Sequence, residues 1–179
     1  MPKVLLAMSG GIDSGMAASI LKDQGYDVIG VFMRLNNFLD ENKARKIAKI
    51  LNIDFKVIDL RKDFKKLIIN CFLEELKKGN TPNPCVVCNE LIKFKLFIEK
   101  TKKLNSDFIA TGHYATIKNK RIFKPKDSSK DQTYFLWRIN NLDKILFPLG
   151  DKLKKDLIAE AQKKKFPVFP YKESQEICF

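Results

Sequence analysis

Residues 3–25 read KVLLAMSGGIDSGMAASILKDQG. Two periodicities meet in this stretch. Residues 3–8, KVLLAM, form a short unbroken apolar run, the pattern of a strand buried on both faces. From 14 to 24 the apolar residues recur at helical spacing, and Gly25 follows as a stop signal. Between strand and helix lies Ser9-Gly10-Gly11-Ile12-Asp13-Ser14. A glycine-rich turn that opens a helix presents backbone N–H groups, backed by the helix's positive end, to an anion. Glycine there lets the backbone approach a phosphate with no Cβ in the way. Ser9 and Ser14 add hydroxyl donors, and the Asp13 carboxylate suits a Mg²⁺ ion shared with phosphates. The loop is neither a Walker A sequence nor a GxGxxG dinucleotide fingerprint. A plainer account makes it an N-capping turn in which Asp13 or Ser14 only starts the helix.

Outward from this unit the alternation continues. YDVIGVFM (26–33), FKVIDL (55–60) and DFIATGHY (107–114) read as three further strands. ENKARKIAKIL (41–51) sets Ala44, Ile47, Ala48 and Leu51 on one helix face, residues 63–78 form another helix ended by Gly79, and 90–104 is amphipathic. Strand–helix alternation at this pitch predicts an α/β fold, a parallel sheet with helices on both faces. Ligands of such sheets bind beyond the carboxyl ends of the strands. Those ends carry Ser9-Gly10-Gly11, Met33-Arg34 and Thr111-Gly112-His113, which are expected to converge on one crevice. Beyond 114 the pattern weakens. ATIKNKRIFK (115–124) reads as a hairpin turning at Asn119-Lys120, and 124–132 as a polar loop. YFLWRI (134–139) resumes apolar character, with its aromatics expected in the core. KKDLIAEAQKKK (154–165) reads as a last helix with its charges on a solvated face, and 166–179 as extended.

The 179 residues suffice for one domain, and 45% apolar content suffices for its core. Net charge is +13, which favours a polyanionic partner through counterion release. The 29 lysines against 5 arginines fit compositional drift equally well. No apolar run reaches the ~18 residues of a membrane span, and the apolar run of MPKVLLAMSGG is too short for a signal peptide. The chain is read as cytoplasmic. Its four cysteines are then free thiols rather than a disulfide framework. Cys71 and Phe72, in LIINCFLEEL, are expected in the core. Cys85 and Cys88, in TPNPCVVCNELIKF (81–94), and Cys178 sit in loop-like surroundings, and their spacing alone leaves metal binding, redox and sulfur chemistry open.

SGGIDS resembles the PP-loop of the ATP pyrophosphatases, which pass AMP to a carbonyl or carboxylate oxygen and release pyrophosphate. With TPNPCVVCNELIKF, ATGHYA, KDQTYFL, FPLG and SQEICF following in order, the chain resembles the tRNA-specific 2-thiouridylase family from Lys3 to Phe179. The resemblance implies an ATP- and Mg²⁺-dependent sulfurtransferase that adenylates the C2 oxygen of a tRNA wobble uridine and replaces it by sulfur. It implies nucleotide contacts from Ala7, Met8, Ser9, Gly10, Gly11, Ile12, Asp13, Ser14, Met33 and Gly112. Asn83, Pro84 and Cys85 match the contact with the target base, and Lys130, Asp131, Gln132 and His113 match tRNA-contacting positions. His113 also fits a polar residue satisfied at a strand end. Cys178 matches the cysteine that carries a persulfide, and Cys88 its partner, which attacks or releases sulfur by forming a disulfide. Either role needs a thiolate, which cationic surroundings are expected to favour. Cys85, Cys88 and Cys178 equally match three ligands of a [4Fe–4S] cluster with one open iron, or part of a zinc site. The sulfur donor is accordingly a persulfide carrier protein or free sulfide.

In family terms, 1–114 is the PP-loop ATP-binding core and 115–179 an extension of the same catalytic domain that carries the second catalytic cysteine. The central and β-barrel domains of full-length members are absent from the sequence. The segment between Arg34 and Asp40 is shorter than usual, and the family's Lys-x-x-Val-Arg becomes Lys154-Lys155-Asp156-Leu157-Ile158, without the arginine. Two alternatives stand beside the enzyme: a non-catalytic RNA- or metal-binding relative with the same fold, and a PP-loop enzyme acting on another carbonyl. Three cysteines and the lack of a glutaminase segment speak against the last.

Overall fold

β1 (Lys3–Ala7) forms the middle of a five-stranded sheet in the computed structural model, which describes residues 1–167 and 178–179. β2 (Asp27–Arg34) and β3 (Asp54–Asp59) follow on one side, and β4 (Phe108–Thr111) and the two-residue β7 (Ile145–Leu146) on the other, giving the order β3-β2-β1-β4-β7. Every pairing is parallel, with Leu5 opposite Ile29 on one side and Ile109 on the other. Progress through the sheet reverses direction at β1. The crevice beyond β1 and β4 is therefore the switch point where such folds bind ligands.

The period of two sorts the strands between two cores. Val4, Leu6, Phe32 and Ala110 face α1 (Ile12–Asp23), α2 (Glu41–Leu51) and α5 (Lys154–Lys163), where Met16, Ile47 and Leu157 meet them. Leu5, Ile29, Val31 and Ile109 point the other way, onto Phe94 and Phe97 of α4 (84–101). A third cluster joins Phe64 and Ile68 of α3 (61–77) to Cys88 and Ile92 of α4. Both α3 and α4 contain a π-helical stretch, Lys65–Ile69 and Asn89–Leu96 respectively. β5 (Thr116–Lys118) and β6 (Arg121–Phe123) make the expected hairpin, turning at Asn119 and Lys120 with φ of 49° and 57°. Two successive positive φ values are the signature of a type I′ turn.

Several expectations are corrected. Cys71 is exposed and Phe72 half-buried, because the second half of α3 buries no residue; the π-helical stretch has already moved the apolar face past it. In YFLWRI, Leu136 and Ile139 enter the core, whereas Tyr134 and Trp137 stay 57% and 70% exposed. The cysteine stretch is helical rather than loop-like. Asn83 caps it by accepting a hydrogen bond from the Cys85 N–H, and Pro84 occupies the first turn, where its missing N–H costs nothing. Ten of the residues expected to be extended, 168–177, lie outside the described residues.

His113, just beyond β4, is 8% exposed. Its Nδ1 lies 2.8 Å from the Thr111 hydroxyl, and its ring stacks on Phe94 and meets the Phe147 ring edge-on. Burial, and then the nearby charge of Lys93, hold its pKa well below the usual 6.5. The folded protein thus keeps this ring neutral while the unfolded chain protonates it. The associated stability is complete above pH 6.5 and falls as the pH drops below it.

Two outcomes follow from this packing and a third from the β5–β6 turn. As the sequence holds one histidine, NMR titration of its ring is unambiguous, and no transition is expected between pH 7 and 6. His113→Gln should flatten the decline in stability between pH 7 and 5.5; a midpoint at or above 6.5 would contradict the burial argument. Lys120→Gly should raise stability in urea unfolding by about 0.5 kcal/mol, since left-handed strain of about 1–2 kcal/mol is relieved. The exposed ion pair of Lys120 with Asp143 that it removes is worth less than about 1 kcal/mol.

Candidate functional site

The turn after β1 is built to leave a helix end open. Gly11 is the N-cap of α1 and supplies no side-chain cap, so the first N–H groups of the helix are not claimed by a capping oxygen. Asp13 and Ser14 lie inside the first turn and do not cap it. Ser14 Oγ closes the loop instead, donating to the Gly11 carbonyl at 3.1 Å and accepting from the Ser9 N–H at 3.2 Å. Gly10 has φ +86°, and a Cβ there would stand 2.9 Å from the Ala44 nitrogen of α2. Gly112 lets β4 run against the same helix end: a Cβ would meet Ser14 N at 2.9 Å and the Asp13 carbonyl carbon at 3.0 Å. Both contacts are to backbone, which cannot swing away as a side chain could.

Asp13 is held by groups that sequence reasoning missed. Its Oδ1 accepts from the Tyr114 hydroxyl at 2.7 Å and from the Lys154 ammonium at 2.5 Å. Lys154 is 6% exposed, in contrast to the solvated face expected of that helix, and its N–H donates to Asp127. The signal was present: Leu157 and Ala161, three and seven residues on, are buried, so helical spacing puts Lys154 on the core face. Gln132 extends the network. Its Oε1 accepts from the Tyr114 N–H, and its own N–H donates to the Tyr114 carbonyl.

A cavity of about 280 Å³ opens at the switch point. Ala7, Met8, Ser9, Asp13 and Ser14 line it from the turn, Thr111, Gly112 and His113 from β4, and Phe32, Met33, Leu35 and Leu39 from the end of β2. The volume is close to the ~300 Å³ at which small-molecule sites begin, and the apolar wall with a few convergent polar groups is typical of them. Gly10, Gly11 and Ile12 shape the turn without lining the cavity; Ile12 belongs to the core. Of the 130–132 segment only Gln132 reaches the cavity. Asp131 is engaged by the Thr133 N–H and hydroxyl and by Lys124, and Lys130 stands half-buried in a short 3₁₀ turn.

A smaller cavity of about 30 Å³ adjoins it, lined by Phe64, Ile68, Pro84, Cys85, Cys88, Lys93, Cys178 and Phe179. Lys93 and Cys178 line both cavities. Cys178 is anchored: its carbonyl accepts from Asn36 Nδ2 at 2.6 Å, and the next ring, Phe179, packs edge-on against Phe64 and Phe72. All four cysteines are free thiols. Contrary to expectation, the surroundings do not favour thiolates at Cys85 and Cys88. Burial raises both, Cys88 to about 11, and outweighs the opposing pull of Lys93.

The fit to each implied group differs. Asp13 Oδ1 is taken by Tyr114 and Lys154, and no donor among the described residues contacts Oδ2. Mg²⁺ is usually held by one or two carboxylates together with substrate phosphates and waters, so a lone carboxylate beside an open helix end suits it. For a cluster or zinc, Cys85, Cys88 and Cys178 share one cavity wall. Yet among the described residues no three Cys, His, Asp or Glu side chains are grouped to hold one metal ion, so these thiols as they stand do not form such a site.

Comparisons with known proteins place the chain in a family. The profile of the tRNA methyl transferase HUP domain family matches residues 2–179. A tRNA-specific 2-thiouridylase MnmA from Helicobacter hepaticus is 46% identical over 99% of this chain and 55% of its own length. One from Karelsulcia muelleri is 45% identical over 99% of this chain and 50% of its own length. The chain thus spans about half the length of the curated relatives it matches. Among solved structures, a predicted tRNA methyltransferase subunit from Methanocaldococcus jannaschii shares the fold, with a TM-score of 0.57 at 20% identity over 90% of this chain and 75% of that one. So does a glutamine-dependent NAD+ synthetase from Acinetobacter baumannii, with a TM-score of 0.59 at 15% identity over 91% of this chain and 29% of that one. The chain belongs to the tRNA methyl transferase HUP domain family and is related over its whole length to the tRNA-specific 2-thiouridylases.

Proposed function

We propose that this chain uses ATP to activate the C2 oxygen of a tRNA uridine and replaces that oxygen by sulfur, forming 2-thiouridine. The observation that carries the reading is the shared wall: Cys178 and Lys93 line both the crevice at the open end of α1 and the cavity of Cys88. Activation and sulfur delivery require that adjacency, because the activated carbonyl must meet sulfur before water. ATP supplies the AMP group that turns a poor leaving oxygen into a good one. The α1 N–H groups, with Ser9 and Ser14, would hold its phosphates, Asp13 would hold a Mg²⁺ ion that offsets their charge, and Met33 and Leu35 would flank the purine. The uridine oxygen bonds to the α-phosphorus as the bond to pyrophosphate breaks.

Sulfur then arrives as a persulfide on Cys178, which attacks C2 as AMP departs with the original oxygen. Cys88 attacks the Cys178 sulfur as its thiol proton returns to the base nitrogen that activation deprotonated, leaving the transferred atom on uridine and a Cys88–Cys178 disulfide for a thiol reductant to reopen. Asn83, Pro84 and Cys85 lie beside this cavity as the segment for the target base, with Lys130, Asp131, Gln132 and His113 as further RNA contacts. The net charge of +13 suits a tRNA partner. No described helix is long and apolar enough to cross a membrane, and the reaction belongs in a reducing cytoplasm that keeps the thiols free. The donor that charges the Cys178 thiol is a persulfide carrier protein, which passes on its outer sulfur and leaves as a thiol.

The test separates the two halves of the reaction. With tRNA and ATP, Asp13→Asn should lower pyrophosphate release about 100-fold, the scale of losing one group that stabilises transition-state charge. Cys88→Ser should keep pyrophosphate release and lose 2-thiouridine, read by mass spectrometry of digested tRNA. Unchanged release in Asp13→Asn, or normal thiolation in Cys88→Ser, would refute the assignment.

A further inference from the structure

Among the described residues, Lys93 is the one cationic side chain lining the larger cavity, and Asp13 the one anionic. Asp13 is neutralised by Lys154, whereas no carboxylate among the described residues pairs with Lys93. The nearest acidic residue in sequence, Glu90, is engaged by Arg138 at 2.7 Å. Lys93 is half-buried, and no counter-ion among the described residues accompanies it. The backbone explains its position. Lys93 follows Cys88 by five residues, which in a regular α-helix would turn it about 140° away. Asn89–Leu96 is π-helical, and five residues make one bonded π turn, so Lys93 and Cys88 share a side of α4. Lys93 lines both cavities, with Cys85 and Cys88 in the smaller and His113 in the larger, which sets it between them.

We propose that Lys93 is a phosphate-contacting residue, which holds the α-phosphoryl group of the bound nucleotide at the boundary with the thiol cavity. The inference rests on the proposed function, which supplies the nucleotide, and adds which phosphate Lys93 meets. The β- and γ-phosphates belong at the open end of α1. The α-phosphorus is the atom joined to the uridine oxygen, so it must be the phosphate nearest the sulfur. When sulfur bonds to C2 and the C2–O bond breaks, the electron pair leaves with that oxygen. AMP thereby gains one negative charge, which an ammonium at this boundary offsets without any proton transfer.

Binding of AMP and adenosine to the full chain tests this without tRNA or catalysis. Lys93→Met should weaken AMP at least tenfold, the effect of losing a charge-assisted hydrogen bond, and leave adenosine within twofold. Lys93→Arg should keep AMP within about threefold. Unchanged AMP affinity in Lys93→Met, or equal weakening of AMP and adenosine, would overturn the proposal. Because neither probe requires thiolation, loss of the sulfurtransferase reading would show instead in the pyrophosphate and 2-thiouridine measurements.

Discussion

One carboxylate oxygen holds three parts of the chain together. Asp13 Oδ1 receives Tyr114 from the segment after β4 and Lys154 from the start of α5, so the first turn of α1 is tied to elements 101 and 141 residues away. Removing one partner of a buried ion pair typically costs about 3–5 kcal/mol, because the other charge is left without water or a counter-ion. The Asp13 side chain is 37% exposed, which moderates that figure from its side, whereas the Lys154 side chain is only 7% exposed. The carboxylate therefore fixes the open helix end against β4, and the glycines at 10 and 112 allow the approach. A larger residue at either place would collide with backbone, and the crevice would lose its floor.

The sheet accounts for the rest of the arrangement. Strand order reverses at β1, which leaves the gap over β1 and β4 uncovered by a crossover helix. Unclaimed N–H groups come from the turn, an apolar slot from the end of β2, and Cys85 and Cys88 from a helix on the other side of the sheet. α4 serves both cavities: Phe94 packs on His113 at the larger one, while Cys85 and Cys88 line the smaller. Chemistry contributed by opposite layers meets at the strand ends because that is where the layers are no longer separated by the sheet.

Much of this was legible in the residues themselves. Apolar runs marked four of the five strands, and the residues that end three of them, Ser9-Gly10-Gly11, Met33-Arg34 and Thr111-Gly112-His113, marked the crevice. Asn119-Lys120 announced its turn, since Asn tolerates left-handed backbone. β7 was not legible, because two residues before a proline carry no periodicity. Cys71 misled for a related reason: helical spacing was extrapolated through a π-helical stretch that changes the face. Lys154 was hidden by its company, a lysine among lysines, although its spacing to Leu157 told against solvent. The thiol environments at Cys85 and Cys88 could not be read at all, as burial and one positive charge oppose each other there and only their placement decides which prevails.

The edges of the sheet carry a consequence for the behaviour of the isolated molecule. On one side it ends in a two-residue strand followed by Pro148, which has no N–H to offer a neighbour. On the other, β3 bears Asp54, Lys56 and Asp59, and Arg45 from α2 lies over the Phe55 ring at 4.9 Å. Long, flat, apolar border strands template aggregation, and charge, proline and brevity suppress it. Neither border here offers such a template, so the sheet gives a second copy no strand to extend.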